Sequence, residues 1–252
     1  GSANMSKCLI VTRGGRGIGA EVSRKAAKQG YSVCVNFHRD QTSAQKLVRE
    51  LEEEGANALA YQADVSREEE VEALFQTVEK DLGTPEALVN NAGILDLQTR
   101  VDGMNAERIQ RIFAVNVTGS FLCAREAVKR MSTKYGGKGG SIVNLSSGAA
   151  KYGSPGEYVD YAASKAAIDT LTIGLAKEVA EEGIRVNAVR PGFIDTEIHQ
   201  SGGEPDRMER VRPLVPMKRV GQAEEVADAI MWLLSDKASY TTGTILDVSG
   251  GR

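Results

Sequence analysis

Tyr161 and Lys165 stand four residues apart in the run YAASK. On a helix, residues at i and i+4 share a face, one turn apart. A phenol titrating near pH ~10 is a poor acid or base at neutral pH. A neighbouring ammonium stabilises the phenolate and is expected to pull that value down. The pair therefore reads as a proton-transfer device. Ser146 and Ser147 end the run VNLSS, and Ser147 lies fourteen residues before Tyr161. Parallel sheets bind ligands beyond the carboxyl ends of their strands. A serine there can donate a hydrogen bond to a carbonyl oxygen. Each feature alone also suits an ordinary solvated helix face or a strand-end turn.

A third feature lies near the start of the chain, TRGGRGIG at residues 12–19. Gly15, Gly17 and Gly19 follow an apolar strand and open a helix. Backbone N–H groups at such a helix start face an anion, and glycines let a pyrophosphate come close.

The elements that must position these residues alternate regularly. Strands are expected at 8–12, 32–37, 58–63, 87–90, 140–146, 184–189 and 244–248. Helices are expected at 17–29, 42–54, 105–131, 158–182 and 222–235, with another opened by Ser66 and Glu69 as a capping box. Gly30 suits a helix C-cap. Strand–helix alternation implies parallel strands and right-handed crossovers, and near-continuously apolar strands imply cover on both faces. The expected fold is α/β: a single doubly wound Rossmann domain over residues 5–252, a parallel seven-stranded sheet with helices on both faces. Residues 1–4, GSAN ahead of Met5, look like an expression scar. Residues 197–216 hold three prolines and no long periodic pattern, and read as a functional loop, often a lid.

The composition narrows the class. A net charge of −3 does not suit a nucleic-acid binder, and 26% charged with 41% hydrophobic residues suits a packed domain. No apolar run approaches a membrane span, and no secretory signal is expected. Cys8, Cys34 and Cys123 lack paired spacing, so they read as reduced buried thiols in a cytoplasmic protein. His38 and His199 neighbour no cysteine, and no metal site is expected.

From about Lys7 to Gly251 the chain resembles the short-chain dehydrogenase/reductase family, including its 3-oxoacyl-carrier reductases and glucose dehydrogenases. The resemblance implies that Thr12, Gly14, Gly15, Arg16, Gly17, Ile18 and Gly19 form the cofactor loop. It implies that Asp64 and Val65 meet the adenine. Asn91, Ala92 and Gly93 of NNAG lie beside the cofactor, and Pro191, Gly192, Ile194 and Thr196 of RPGFIDT near the nicotinamide. It makes Asn116, Ser147, Tyr161 and Lys165 the catalytic set, with Lys165 also holding the nicotinamide ribose and Asn116 a water linking Lys165 to solvent. Tyr158 is a rival tyrosine, but Ala162 stands where its lysine would be. The implied activity is hydride transfer between a nicotinamide and a small carbonyl or alcohol, in a homotetramer built partly on the helix carrying Ala162, Ala163, Ala166, Ala167 and Leu171.

NAD readers place an acidic residue at the end of strand two. Here Phe37 falls at that position, His38 and Arg39 follow, and Arg16 lies in the loop. Cations there pair with a 2′-phosphate, so NADP(H) is favoured over NAD(H). Asp40 is read as lying too far along to matter. Two residues depart from the family pattern. Arg13 stands where the first glycine of the loop is usual, and Gly15 where relatives often have serine. Gly14 and Gly15 are expected to absorb any unusual backbone angles, and the Arg13 side chain to crowd the adenosine ribose. Leu95, Leu97, Tyr152, Phe193 and His199 are expected to line the substrate pocket. The alternatives are a non-catalytic dinucleotide sensor on the same fold and a sugar-nucleotide epimerase.

Overall fold

The computed structural model describes residues 7–196 and 204–252. Seven parallel strands form one sheet: β1 (Cys8–Val11), β2 (Ser32–Phe37), β3 (Ala58–Gln62), β4 (Pro85–Asn90), β5 (Gly140–Leu145), β6 (Ile184–Pro191) and β9 (Ile245–Val248). Their order across the sheet is β3-β2-β1-β4-β5-β6-β9. The chain runs outward from β1 in one direction, then returns to β4 on the other side. This reversal opens a crevice at the carboxyl ends of β1 and β4. A two-stranded ribbon, β7 (Ile194–Asp195) with β8 (Gly221–Gln222), stands apart from the main sheet.

Alternation along each strand divides the core into two layers. Leu9, Val11, Val33 and Val35 join one apolar cluster with α1 (Gly17–Lys28), α2 (Gln41–Glu53) and α9 (Ala223–Leu234). Ile10, Cys34, Leu88 and Ile142 join the other, with α3 (Glu68–Asp81), α5 (Gly119–Met131) and α7 (Val159–Val179). Each fully buried aliphatic side chain contributes about 1.5–3 kcal/mol. Both faces are therefore covered, as the continuous apolar strands required.

Three local expectations are corrected. Ser66 does not cap α3. Asp64 accepts from both the N–H (3.0 Å) and the hydroxyl (2.7 Å) of Ser66, so the helix starts one residue later behind Arg67. The capping box that does form joins Gln222 and Glu225 at the start of α9. The stretch 105–131 is not one helix. It divides into α4 (Ala106–Phe113), a π-helical turn at Ala114–Thr118, and α5. A π turn inserts an extra residue into the helical ladder, a feature common at functional sites. Residues 197–216 are not loop throughout: Arg207–Val211 form a short helix, α8, with a 3-10 turn behind it. Its Arg207 and Val211 are buried, and burial of those two ends orders a segment whose sequence period is too short to register.

One buried ion pair fixes the start of α7. Arg108 on α4 donates through Nε to Asp160 (2.9 Å), and Asp160 in turn accepts from the backbone N–H of Tyr161 (2.9 Å). Both residues are under a tenth exposed. Removing one partner leaves the other charge buried and uncompensated. Asp160→Ala is expected to destabilise the fold by about 3–5 kcal/mol, read as a fall in the urea midpoint. A change within experimental error would show that Arg108 finds water instead.

Candidate functional site

A cleft of about 590 Å³ lies over the crevice between β1 and β4. Its floor is built by Thr12, the residue after β1. The Thr12 hydroxyl accepts from the N–H groups of Asn91 (2.9 Å) and Ala92 (3.0 Å), so the ends of β1 and β4 are joined through one oxygen. Gly19, in the first turn of α1, packs against this floor. A Cβ there would lie 2.6 Å from Asn91 Nδ2 and 2.7 Å from the Arg13 carbonyl, too close for any side chain. Gly17 takes φ +54, a conformation that favours glycine.

Gly15, Arg16, Gly17 and Ile18 line the cleft itself. The start of α1 has no side-chain cap and no acidic residue in its first turn. Its free N–H donors and the positive end of the helix dipole therefore suit a phosphate group. Thr12, Gly14, Gly19 and Ala92 do not line the cleft but support the residues that do.

Arg13 answers the backbone question differently from expectation. It adopts φ +47 itself, while neither Gly14 nor Gly15 has positive φ. Left-handed backbone at a non-glycine residue costs about 1–2 kcal/mol. The strain persists because the surrounding bonds over-determine it. Arg13 N–H donates to Asn36 Oδ1 (3.2 Å), and Asn91 Nδ2 donates to the Arg13 carbonyl (3.1 Å). Asn36 uses its own amide hydrogens on the carbonyls of Phe37, Tyr61 and Ala63. The Arg13 side chain crosses the cleft and donates from Nη1 to the Gly93 carbonyl (3.1 Å). The cleft walls depress its pKa by desolvation, Arg16 adds to that, and Asp64 opposes it.

At one end of the cleft stand Phe37, His38, Arg39 and Asp40. Asp40 is not too far along: it lines the cleft and pairs with Arg16 Nη1 at 3.3 Å. It also caps α2 by accepting from Ser43 N–H (3.1 Å), and bonds to Ser43 hold its carboxyl below the usual range. The cap position brings Asp40 back toward the loop. Asp64 sits behind this end, 3.9 Å from His38 Nε2. Val65 is buried and packs where a Cβ on Gly119 would strike it.

At the other end Ser147, Tyr161 and Lys165 share a wall with Pro191, Gly192, Ile194 and Thr196. Ser147 follows β5, and its Oγ accepts from Ala149 N–H (3.1 Å). Tyr161 and Lys165 come from successive turns of α7. Lys165 Nζ donates to the Leu145 carbonyl at 2.8 Å and lies 5.7 Å from the Tyr161 ring centroid. The expected depression of the Tyr161 pKa is not found in the chain alone. Burial pushes the phenol up to about 12, with the Ser147 hydroxyl and then Arg207 pulling it down. Burial also brings Lys165 down to about 8, against the pull of Asp169. Both groups lose water on entering the wall, and the ammonium is turned toward Leu145 rather than the phenol oxygen.

Asn116 sits on the π turn and is fully buried. Its Oδ1 accepts from Ile94 N–H (2.7 Å), and its Nδ2 donates to Ile94 O (2.9 Å) and Ser164 Oγ (3.1 Å). Ser164 donates to the Tyr161 carbonyl at 2.6 Å. The side-chain amide hydrogens are thus both in use, leaving only lone-pair capacity on Oδ1 for a water.

Nothing in the sequence marks Ile94 and Leu145 as lining residues, and its reading sets Asp40 aside, while Ser146 already stands beside Ser147 at the strand end. Ile94 and Leu145 are apolar and carry no distinctive spacing. Among the expected substrate residues, Leu95 lines the cleft. Leu97 and Tyr152 are exposed, and Phe193 lines a neighbouring cavity. His199 lies outside the described residues. Among the described residues no helix is long and apolar enough to cross a membrane.

Comparison with known proteins agrees with this arrangement. Residues 14–252 match the family model described as enoyl-(acyl carrier protein) reductase. The chain is 57% identical to the uncharacterized oxidoreductase YgfF of Escherichia coli, over 96% of this chain and 98% of that protein. It is 41% identical to 3beta-hydroxysteroid dehydrogenase 1 of Eggerthella lenta, over 97% and 93%. It is 37% identical to glucose 1-dehydrogenase 2 of Bacillus subtilis, over 97% and 94%. With its single parallel sheet and a cleft suited to a dinucleotide, the chain belongs to the NAD(P)-using short-chain dehydrogenase/reductase family, and it is an oxidoreductase acting on CH–OH and C=O groups.

Proposed function

We propose that the protein uses NADP(H) to interconvert a small carbonyl compound and its alcohol, with Tyr161 as general acid–base. The observation that carries this reading is the sharing of one cleft by Ser147, Tyr161 and Lys165 at one end and by Arg16, His38 and Arg39 at the other. When bound, a nicotinamide would supply the hydride chemistry at the substrate carbon. The chain supplies the rest. Gly15, Gly17 and the uncapped start of α1 receive the phosphates. Ser147 donates to the substrate oxygen and stabilises charge building there. Tyr161, neutral at pH 7 because burial holds its proton, gives that proton to the oxygen during reduction. Lys165 stays largely protonated at neutral pH and provides positive charge beside the phenol, and its position also suits the ribose contact of the family. Asn116 holds Ile94 and the Ser164–Tyr161 turn in place, and its remaining lone pair suits a water between Lys165 and solvent. Asn91, Gly93, Pro191, Gly192, Ile194 and Thr196 complete the cofactor contacts, and Asp64, Val65 and Ala92 support the wall from behind it. Tyr161→Phe is expected to lower kcat at least about a hundredfold while the NADPH dissociation constant holds. Near-parent turnover with a ketone would remove Tyr161 from the mechanism, and the non-catalytic sensor reading predicts no turnover in the parent at all.

The preference for NADP(H) rests on cations where an acidic residue would otherwise bind the ribose hydroxyls. Asp40 moderates it, because its carboxylate already engages Arg16 and repels an arriving phosphate. NADPH is still expected to bind at least about tenfold more tightly than NADH, a gap of ~1.4 kcal/mol. The strap from Arg13 to Gly93 spans the space the dinucleotide needs, so Arg13→Gly is expected to tighten NADPH by about fivefold, the worth of one displaced hydrogen bond. Isothermal titration decides both points. Equal affinity for the two cofactors sinks the preference, and weaker binding by Arg13→Gly makes Arg13 a phosphate ligand.

Two further assignments complete the reading. Cys8 and Cys123 are buried with their thiols pushed up to about 12, which suits inert reduced cysteines in a cytoplasmic protein. Ile109, Phe121 and Ile173 are exposed on α4, α5 and α7, apolar surface that supports a homotetramer. Light scattering at micromolar concentration is expected to give four times the 27.0 kDa chain; a monomer contradicts the assignment.

A further inference from the structure

Two buried hydrogen-bond donors near the reacting end make no well-formed bond among the described residues: Nη1 of Arg207 and the Tyr158 hydroxyl, whose nearby Gln98 amide is not aligned to accept from it. Tyr158 is 2% exposed and Arg207 6%. Buried polar groups are nearly always paired, and each exception asks for an explanation. The two are neighbours, since the Arg207 guanidinium lies 5.9 Å over the Tyr158 ring and 5.1 Å over that of Phe193. They also adjoin the reacting end. Tyr158 precedes Tyr161 by one turn at the start of α7, and Phe193 lies between Gly192 and Ile194 of the cleft wall. The Arg207 charge is felt at the Tyr161 phenol.

We propose that Tyr158 and Arg207 form a substrate subsite for an anionic acceptor, a carboxylate carried by the carbonyl compound. This deepens the oxidoreductase reading and rests on it for the name of the substrate, not for the binding event. The two nearby carboxylates are already used: Glu157 accepts from Gln98 Nε2 (3.1 Å), Arg207 Nε (3.0 Å) and Arg210 (3.3 Å), and Glu204 from Arg210 Nη2 (3.0 Å) and Gln98 Nε2 (3.4 Å). The guanidinium faces are taken by the two rings, and Nε by Glu157. What is left is Nη1 of the guanidinium and the hydroxyl of the ring it covers, both donors. Only an acceptor satisfies both, and an ionised acceptor makes the stronger bond to a guanidinium. Both atoms are covered in the chain alone, so entry requires α8 to lift from the Tyr158 and Phe193 rings.

The rival explanation is a trapped water, and binding separates the two. The probe is oxamate, a carboxylate whose amide carbonyl resists reduction, titrated calorimetrically into the protein with saturating NADP+. Oxamide serves as the uncharged control of the same shape. Oxamate is expected to bind the parent at least about tenfold more tightly than oxamide. Arg207→Met is expected to abolish that difference, and Tyr158→Phe to weaken oxamate by about fivefold. Tyr158→Phe keeps the ring and so preserves the packing even if Arg207→Met unfolds α8. No oxamate binding, equal binding of oxamide, or parent-like affinity in Tyr158→Phe overturns the subsite. No turnover is needed for this titration. A protein that binds oxamate but reduces no ketone leaves the subsite standing and removes the catalytic reading.

Discussion

The arrangement of the site depends on the Thr12 hydroxyl. The sheet changes direction between β1 and β4, and at that point two strand ends must be held side by side with their backbone groups satisfied. One oxygen does this by accepting from both Asn91 and Ala92. The glycine loop lies on one side of this joint and the NNAG turn on the other.

Around that joint, buried polar groups carry the geometry across the sheet. Asn90 Nδ2 donates to Asn144 Oδ1 (2.9 Å), Asn144 Nδ2 to Thr172 (3.0 Å), and Thr172 to the Ile168 carbonyl (2.8 Å). This chain ties β4 and β5 to α7, the helix that presents Tyr161 and Lys165. Asn116 and Ser164 make a parallel link from the π turn to the Tyr161 carbonyl. Satisfied networks of this kind rigidify a site, because a partly satisfied alternative is costly in a low-dielectric interior. The same interior gives Tyr161 and Lys165 their character, keeping the phenol protonated and weakening the hold of Lys165 on its proton.

Arg13 shows how such a frame tolerates an unfavourable residue. Its left-handed backbone is held by Asn36 and Asn91, two side chains already committed to the sheet ends. Strain of this size persists where neighbours over-determine a conformation. The long side chain then takes the carbonyl within reach, that of Gly93, and the loop keeps its shape without its usual glycine.

The alternation of apolar runs and helical segments was enough to place all seven strands of the main sheet to within about two residues, because strands covered on both faces have no polar face to blur their pattern. YAASK, the strand-end Ser147 and the glycine loop were legible for a similar reason: spacing on a helix or at a strand end is local geometry. The Ser66 cap, the π break at Asn116 and the helix at Arg207–Val211 were not, since each is settled by a competing bond or a burial that sequence neighbours do not reveal. Asp40 reached the cleft through its cap on α2, and Phe193 turned away from it. The residue types and their order along the chain thus determined the fold and which side chains could be brought together in the cleft. The protonation preferences of Tyr161 and Lys165, the left-handed turn at Arg13 and the unpaired donors of Tyr158 and Arg207 were decided by the tertiary structure, because desolvation and strain depend on what packs around a group from distant parts of the chain.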